Sequence, residues 1–205
     1  MPKEMILEYL AVNKEEDKLM LRLVMQIAPL LKGMKRSCIL VVDANNYPII
    51  KKELQHTNIE CRKLHNSGSK IVIFLFRRAE LENYLGQEAV IDFLHAYGYH
   101  YGRNIKSSED FSVLDTYLPL LSCRVGSFYE KNGTFPHEIG AFLGYPIQDV
   151  EGFIENAGKN FLYSGYWKVY ANMQKAKELF RQFDEAKDRA TRELLDGKRL
   201  CEIAG

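Results

Sequence analysis

The chain has 205 residues, with 28 Lys plus Arg against 27 Asp plus Glu and a formal charge of +1. This balance supplies no global field toward nucleic acid or an anionic membrane. An apolar fraction of 46% beside 27% charged residues excludes a disordered chain and suits an ordinary globule with one sizeable core.

The opening MPKEMILEYLAV is interrupted by acids and is not expected to be a secretory signal. The first predicted helix runs from about Lys14 to Leu31. Leu19, Leu23, Ile27 and Leu30 recur at helical spacing, and Glu15, Glu16 and Asp17 occupy the first turn, where the helix dipole favours acids. A basic turn at Gly33 follows. Cys38–Val42 reads as a buried strand. Asn45 and Asn46 before Tyr47-Pro48 predict a helix start, with proline in the first turn and the helix ending near His56. Ile59–Leu64 alternates as a half-exposed strand does, Asn66–Ser69 is a turn, and Lys70–Phe76 is a second buried strand. The pair predicts a β-hairpin. The apolar run Ile71–Phe76 is six residues, too short to span a bilayer.

Helices are expected over Arg78–Leu85 and Glu88–Tyr97, ending at Gly98–Gly102. A longer one fits Ser108–Glu130, kinked or divided at Pro119. Lys131–Thr134 is a loop. Phe135–Tyr170 then packs two short helices, a glycine turn and an aromatic strand, Phe161–Tyr170, around the only Trp. Asn172 is expected to cap a last helix reaching about Leu195, whose apolar stripe thins after Phe183. No repeat, low-complexity run or Gly/Ser linker divides the chain. The element order predicts a single α+β domain over residues 1–205. Its sheet is expected to be small, mixed or antiparallel, of about four strands, and packed with several helices.

Recognisable chemistry is sparse. Gly158-Lys159 misses the phosphate-loop pattern, because Phe153 stands at the first glycine and Asn160 at the hydroxyl position. His137-Glu138 is followed by Ala141 where a second histidine is needed for a zinc motif. Cys61 and His65 are four apart, but on a strand that is roughly 13 Å, too far to share a metal. The four cysteines are scattered, as reduced cytoplasmic thiols are. No nucleophile elbow is present.

Two local patterns remain. Glu138–Ile154 has helix-turn-helix spacing. However, His137–Gly158 carries four acids (Glu138, Asp149, Glu151, Glu155) and no Lys or Arg, the wrong sign for a polyanion. Nucleic acid is therefore not the expected partner, and a packed helical hairpin explains Ile139, Leu143, Val150, Phe153 and Ile154 better. In the aromatic strand, alternation places Tyr166, Lys168 and Tyr170 on one face and Trp167 and Val169 on the other. Two phenols and an ammonium there suit a planar anionic ligand.

The words Phe135–Gly140, Phe142–Pro146, Asp149-Val150, Gly152-Phe153, Gly158–Asn160 and Gly165–Tyr170 resemble a bacterial family known as domain of unknown function 3793, found mainly in anaerobic Firmicutes. Ile27–Lys32, Val72–Arg77, Phe93-Leu94 and Gly98-Tyr99 match its pattern more loosely, so the resemblance spans about residues 20–183. Two departures stand out: Gln26-Ile27 where the family pattern has a His-Cys pair, and Ser164 where it has a Cys. The resemblance implies a bacterial cytoplasmic protein and supplies no activity.

The leading expectation is a non-catalytic protein that binds a small ligand or a protein partner. Its site residues are Lys159, Asn160, Tyr166, Lys168 and Tyr170, with Arg77 as a further anion contact, and it needs no metal or membrane. The ligand and any cofactor are left open. The alternatives are an enzyme using His137, with Glu138, as acid or base, and a regulator reading DNA with the hairpin.

Overall fold

Six consecutive apolar residues, Ile71–Phe76, are all buried, which requires a strand covered on both faces. The computed structural model describes residues 3–100, 112–131 and 133–204, and it places this strand at the centre of a sheet. β1 (Ser37–Asp43), β2 (Glu60–Asn66) and β3 (Lys70–Phe76) are antiparallel in the order β1-β3-β2. The β2–β3 hairpin turns at Gly68, whose φ of 85° only glycine adopts freely. Asn66 Oδ1 accepts the Gly68 N–H at 3.0 Å.

The pleat sorts β3 between two helix layers. Val72, Phe74 and Phe76 pack against α4 (Arg78–Leu85), α5 (Glu88–Ala96), α6 (Val113–Tyr129), α7 (Ile139–Phe142) and α8 (Ile147–Glu155). Ile71, Ile73 and Leu75 face α2 (Glu15–Leu31), α3 (Tyr47–Leu54), α9 (Met173–Leu195) and α10 (Leu200–Ile203). A first helix, α1 (Lys3–Val12), precedes them. Its apolar residues are covered only in part: Ile6, Tyr9 and Leu10 are half-buried, whereas Leu7 is 65% and Val12 80% exposed. The fold is α+β.

Several elements differ from expectation in instructive ways. Pro119 lies inside α6 without dividing it. Pro119 and Asp115 are both on the exposed side, so the carbonyl that lost its N–H partner can reach water. The expected start at Ser108, and Tyr101, Gly102 and Asn132, lie outside the described residues. Asn172 precedes α9 in the left-handed region (φ 49°) and makes no side-chain cap. α9 stays packed after Phe183: Ala186, Ala190 and Thr191 are buried, and Glu193 pairs with Lys32, just past the end of α2, at 2.6 Å. Its stripe narrows because small residues let two helices approach, not because packing ends.

The aromatic segment departs most. It is not one strand joined to the sheet but a separate two-stranded hairpin, β4 (Tyr163–Ser164) and β5 (Lys168–Val169), turning through Gly165–Trp167. It rests on its own small core, where Val169 meets Ala176, Phe180 and Phe183 of α9 and Trp167 closes the edge. Gly165 is obligatory there, since a Cβ would stand 2.3 Å from Phe180 Cδ2.

Candidate functional site

The helical hairpin α7–α8 and the β4–β5 hairpin lean together and leave a cleft of about 450 Å³ between them. The floor is apolar: Ile139, Leu143, Val150 and Phe153 from the helices, the last only half-buried. Tyr145 and Trp167 close one end as a stacked pair, ring centroids 4.8 Å apart at 26°. Trp167 in turn meets Phe180 edge-on at 4.5 Å. Phe135 and Tyr166, 41% and 37% exposed, stand at the mouth.

One buried carboxylate fastens the two hairpins. Asp149, in the first turn of α8 and 3% exposed, accepts the backbone N–H groups of Tyr170 and Ala171 on Oδ1 at 2.7 and 2.8 Å. Its Oδ2 accepts Trp167 Nε1–H at 2.8 Å. Three donors, two of them from the backbone just past β5, thus fix the indole's orientation over the cleft. Tyr170 lies flat on α8, where a Cβ at Gly152 would sit 2.5 Å from its Cγ.

The tyrosine-and-ammonium face expected from strict alternation is not a continuous face. β5 is only two residues long, so Tyr166, Lys168 and Tyr170 diverge. Tyr166 turns onto Phe180 and Phe183 and donates its hydroxyl to Asp184 Oδ1 at 2.9 Å. Burial, and then the neighbouring Asp184, raise this phenol's pKa. Tyr170 donates its hydroxyl to the Lys159 carbonyl at 3.0 Å. Lys168 donates to the Gly158 carbonyl beyond the end of α8 at 2.7 Å and lies over the Phe153 and Phe161 rings at 5.7 and 5.0 Å. Tyr166 and Lys168 line the cleft; Lys159, Asn160 and Tyr170 do not. Asn160 instead takes a left-handed turn conformation and donates to Asn156 Oδ1 at 3.3 Å.

Arg77 does not line the cleft and serves a different purpose. It is 5% exposed. Its guanidinium donates to the carbonyls of Leu30 and Leu31 at 3.0 and 2.9 Å, and to that of Ala204 at 3.2 Å. It closes the carboxyl ends of α2 and α10, a role that complements their dipoles, and those donors are not directed at a ligand.

His137 and Glu138, adjacent in sequence, part company. Glu138 is 4% exposed and accepts Arg124 Nη1 at 2.6 Å and the Tyr99 hydroxyl at 3.3 Å. Burial, together with this carboxylate, raises the Tyr99 pKa. Glu138 is thus a structural ion-pair member and no partner for His137. His137 is exposed at the cleft mouth, its ring against Phe135 at 5.3 Å and Phe153 at 5.2 Å. Its imidazole makes no hydrogen bond to a described residue.

The regulator alternative meets the same geometry. α7 is four residues long, and the exposed side of α8 presents Gln148, Glu151 and Glu155. A short first helix and an acidic second one cannot seat on a phosphate backbone. His65 stacks on Tyr129 at 5.2 Å, away from any shared metal with Cys61. Among the described residues, no three His, Cys, Asp or Glu converge as a metal site, and no helix is long and apolar enough to cross a membrane.

Of the candidate residues expected from the sequence, Tyr166, Lys168 and His137 border this cleft. Sequence reasoning reads Ile139, Leu143, Val150 and Phe153 only as core, although they also floor the cleft, and it reads Asp149 only as a repelling charge. The available signal was the place of Asp149 on α8: it shares the apolar side with Ile147 and Val150, whereas Glu151 and Glu155 are on the exposed side.

With this two-hairpin arrangement in view, the comparisons give a family without an assigned activity. The chain matches the family described as "Protein of unknown function (DUF3793)" over residues 23–204 and belongs to it. No curated protein and no solved structure matches it.

Proposed function

We propose that this chain is a non-catalytic binding protein and that the cleft between the α7–α8 and β4–β5 hairpins takes a small, mainly apolar ligand. The observation that carries this reading is the cleft's build. An apolar floor of Ile139, Leu143, Val150 and half-buried Phe153 lies beneath a rim of Tyr166, Lys168 and His137, and a buried carboxylate commits three hydrogen bonds to holding the wall in position. Its volume, about 450 Å³, lies within the range of ordinary small-molecule sites. Four scattered free thiols support a reducing compartment, and we place the protein in the bacterial cytoplasm.

The single Trp is part of the wall, so binding reports on itself. Titration of Trp167 fluorescence against flavins, haem and nucleotides is expected to give saturable quenching with at least one planar ligand. Ser164→Phe, which fills the mouth from an exposed hairpin position, is expected to abolish it. Silence across the panel, or binding that Ser164→Phe leaves intact, counts against the cleft.

A second reading, acid–base catalysis at His137, is favoured by one observation: the imidazole borders an apolar cleft with both ring nitrogens unengaged by described residues. It requires that a cleft ligand be converted to product and that His137→Gln stop the conversion without weakening binding. Recovery of the ligand unchanged after prolonged incubation refutes it.

A further inference from the structure

The polar groups at the cleft are unequal in what they still offer a ligand. Asp149 already accepts from Trp167, Tyr170 and Ala171, and the Tyr166 hydroxyl is committed to Asp184. Lys168 uses one of its three N–H donors on the Gly158 carbonyl and pairs with no carboxylate of a described residue. His137 and the Ser164 hydroxyl make no hydrogen bond to a described residue. Lys168 and His137 both flank the Phe153 ring, at 5.7 and 5.2 Å. The uncommitted chemistry is therefore an ammonium, an imidazole and a hydroxyl, donor-rich and gathered at the mouth, above a floor with no charge to satisfy.

Such a division selects a molecule with two ends. The aromatic rings bordering the cleft, Phe153 in the floor and the stacked Tyr145–Trp167 pair at one end, favour a planar ring over a flexible chain, because offset stacking rewards flatness. The donor-rich mouth favours an acceptor carrying negative charge, since hydrogen bonds to ionised groups are about twice as strong as neutral ones. A cationic ligand meets Lys168 at the entrance. Resting on the binding reading above, we infer that the cleft recognises an aromatic carboxylate, ring inward against Phe153 and carboxylate outward on Lys168, with His137 and Ser164 as further donors.

Calorimetric titration of the full chain with 2-naphthoate, 2-naphthamide and 2-naphthylmethylamine separates this inference from the reading beneath it. The carboxylate is expected to bind about tenfold more tightly than the amide, the size of one charge-assisted contact of roughly 1.4 kcal/mol, and the amine most weakly. Lys168→Gln is expected to erase the preference by weakening the carboxylate about tenfold more than the amide, and Lys168→Arg to retain it. Should Lys168→Gln unfold through loss of the Gly158 contact, salt supplies the second measurement. Raising ionic strength is expected to weaken the carboxylate and not the amide. Amide or amine binding as tight as the carboxylate, or a preference that survives Lys168→Gln, overturns the assigned class and leaves the cleft standing. No binding of any probe overturns both.

Discussion

Removing the Asp149 carboxylate is the perturbation that reaches furthest into this structure. Asp149→Ala strips the acceptor from three donors at 2.7–2.8 Å: the Tyr170 and Ala171 amides and the Trp167 indole. Hydrogen bonds to a charged group are worth about 1.5–3 kcal/mol each. Three sharing one acceptor do not add, and Trp167, Tyr170 and Ala171 are only half-buried, so water can replace part of the loss. The expected cost is about 3–5 kcal/mol, a large share of the stability of a typical domain. Asp149→Asn keeps an oxygen for the two amides but turns an NH₂ toward the indole N–H, and its cost is expected at about 1–3 kcal/mol. Urea denaturation followed by far-ultraviolet circular dichroism gives both values. Near-ultraviolet dichroism of the single Trp should collapse in the alanine variant under conditions where the helices persist, because the hairpin detaches before the core does. If both variants unfold within about 0.5 kcal/mol of wild type, or if Asn is as harmful as Ala, Asp149 does not fasten the hairpins as described.

Three other outcomes follow from local geometry. Gly165→Ala drives a methyl to 2.3 Å from Phe180 and should destabilise by about 1–3 kcal/mol in urea melts; an unchanged midpoint contradicts the packing of the hairpin on α9. Arg77→Ala leaves the carbonyls of Leu30, Leu31 and Ala204 without their donor and should cost about 2–4 kcal/mol, with fraying of the C-terminal residues visible in hydrogen exchange. Burial holds the Cys38 thiol pKa up to about 12 and that of Cys61 up to about 11. At pH 8 both stay protonated, so a disulfide reagent should label exposed Cys123 fastest, half-buried Cys61 more slowly and buried Cys38 only after unfolding; fast labelling of Cys38 in the native protein is the contrary result.

How much of this was legible in the sequence depends on whether a residue's neighbours are local. β3 announces itself because both its faces are buried and the run is unbroken, and the β2–β3 hairpin follows from Asn66–Ser69. The α7–α8 hairpin is likewise readable from Ile139, Leu143 and Val150. The late hairpin is not, because alternation assumes a straight strand and nothing in Tyr163–Tyr170 marks the turn except Gly165, whose necessity comes from Phe180, 15 residues later. Arg77 reads as a solvated or ligand-gripping cation until α2 and α10 bring their carbonyl ends to it. Asp149 carries the same lesson: a charge that repels phosphate in one dimension is the fastener of the site in three. Tyr166 and Lys168 both line the cleft, although the alternation that singled them out is not kept by the fold.

The Trp167 indole N–H gives one downfield proton resonance, hydrogen-bonded to Asp149 and set in the cleft wall. Titrating 2-naphthoate into uniformly ¹⁵N-labelled protein and following that resonance together with the amides of Ile147–Glu155 and Tyr163–Tyr170 is the most direct test of the cleft. Saturable shifts concentrated in those two segments are the predicted result. A stationary indole signal, or shifts gathered on α1 or elsewhere, contradicts it.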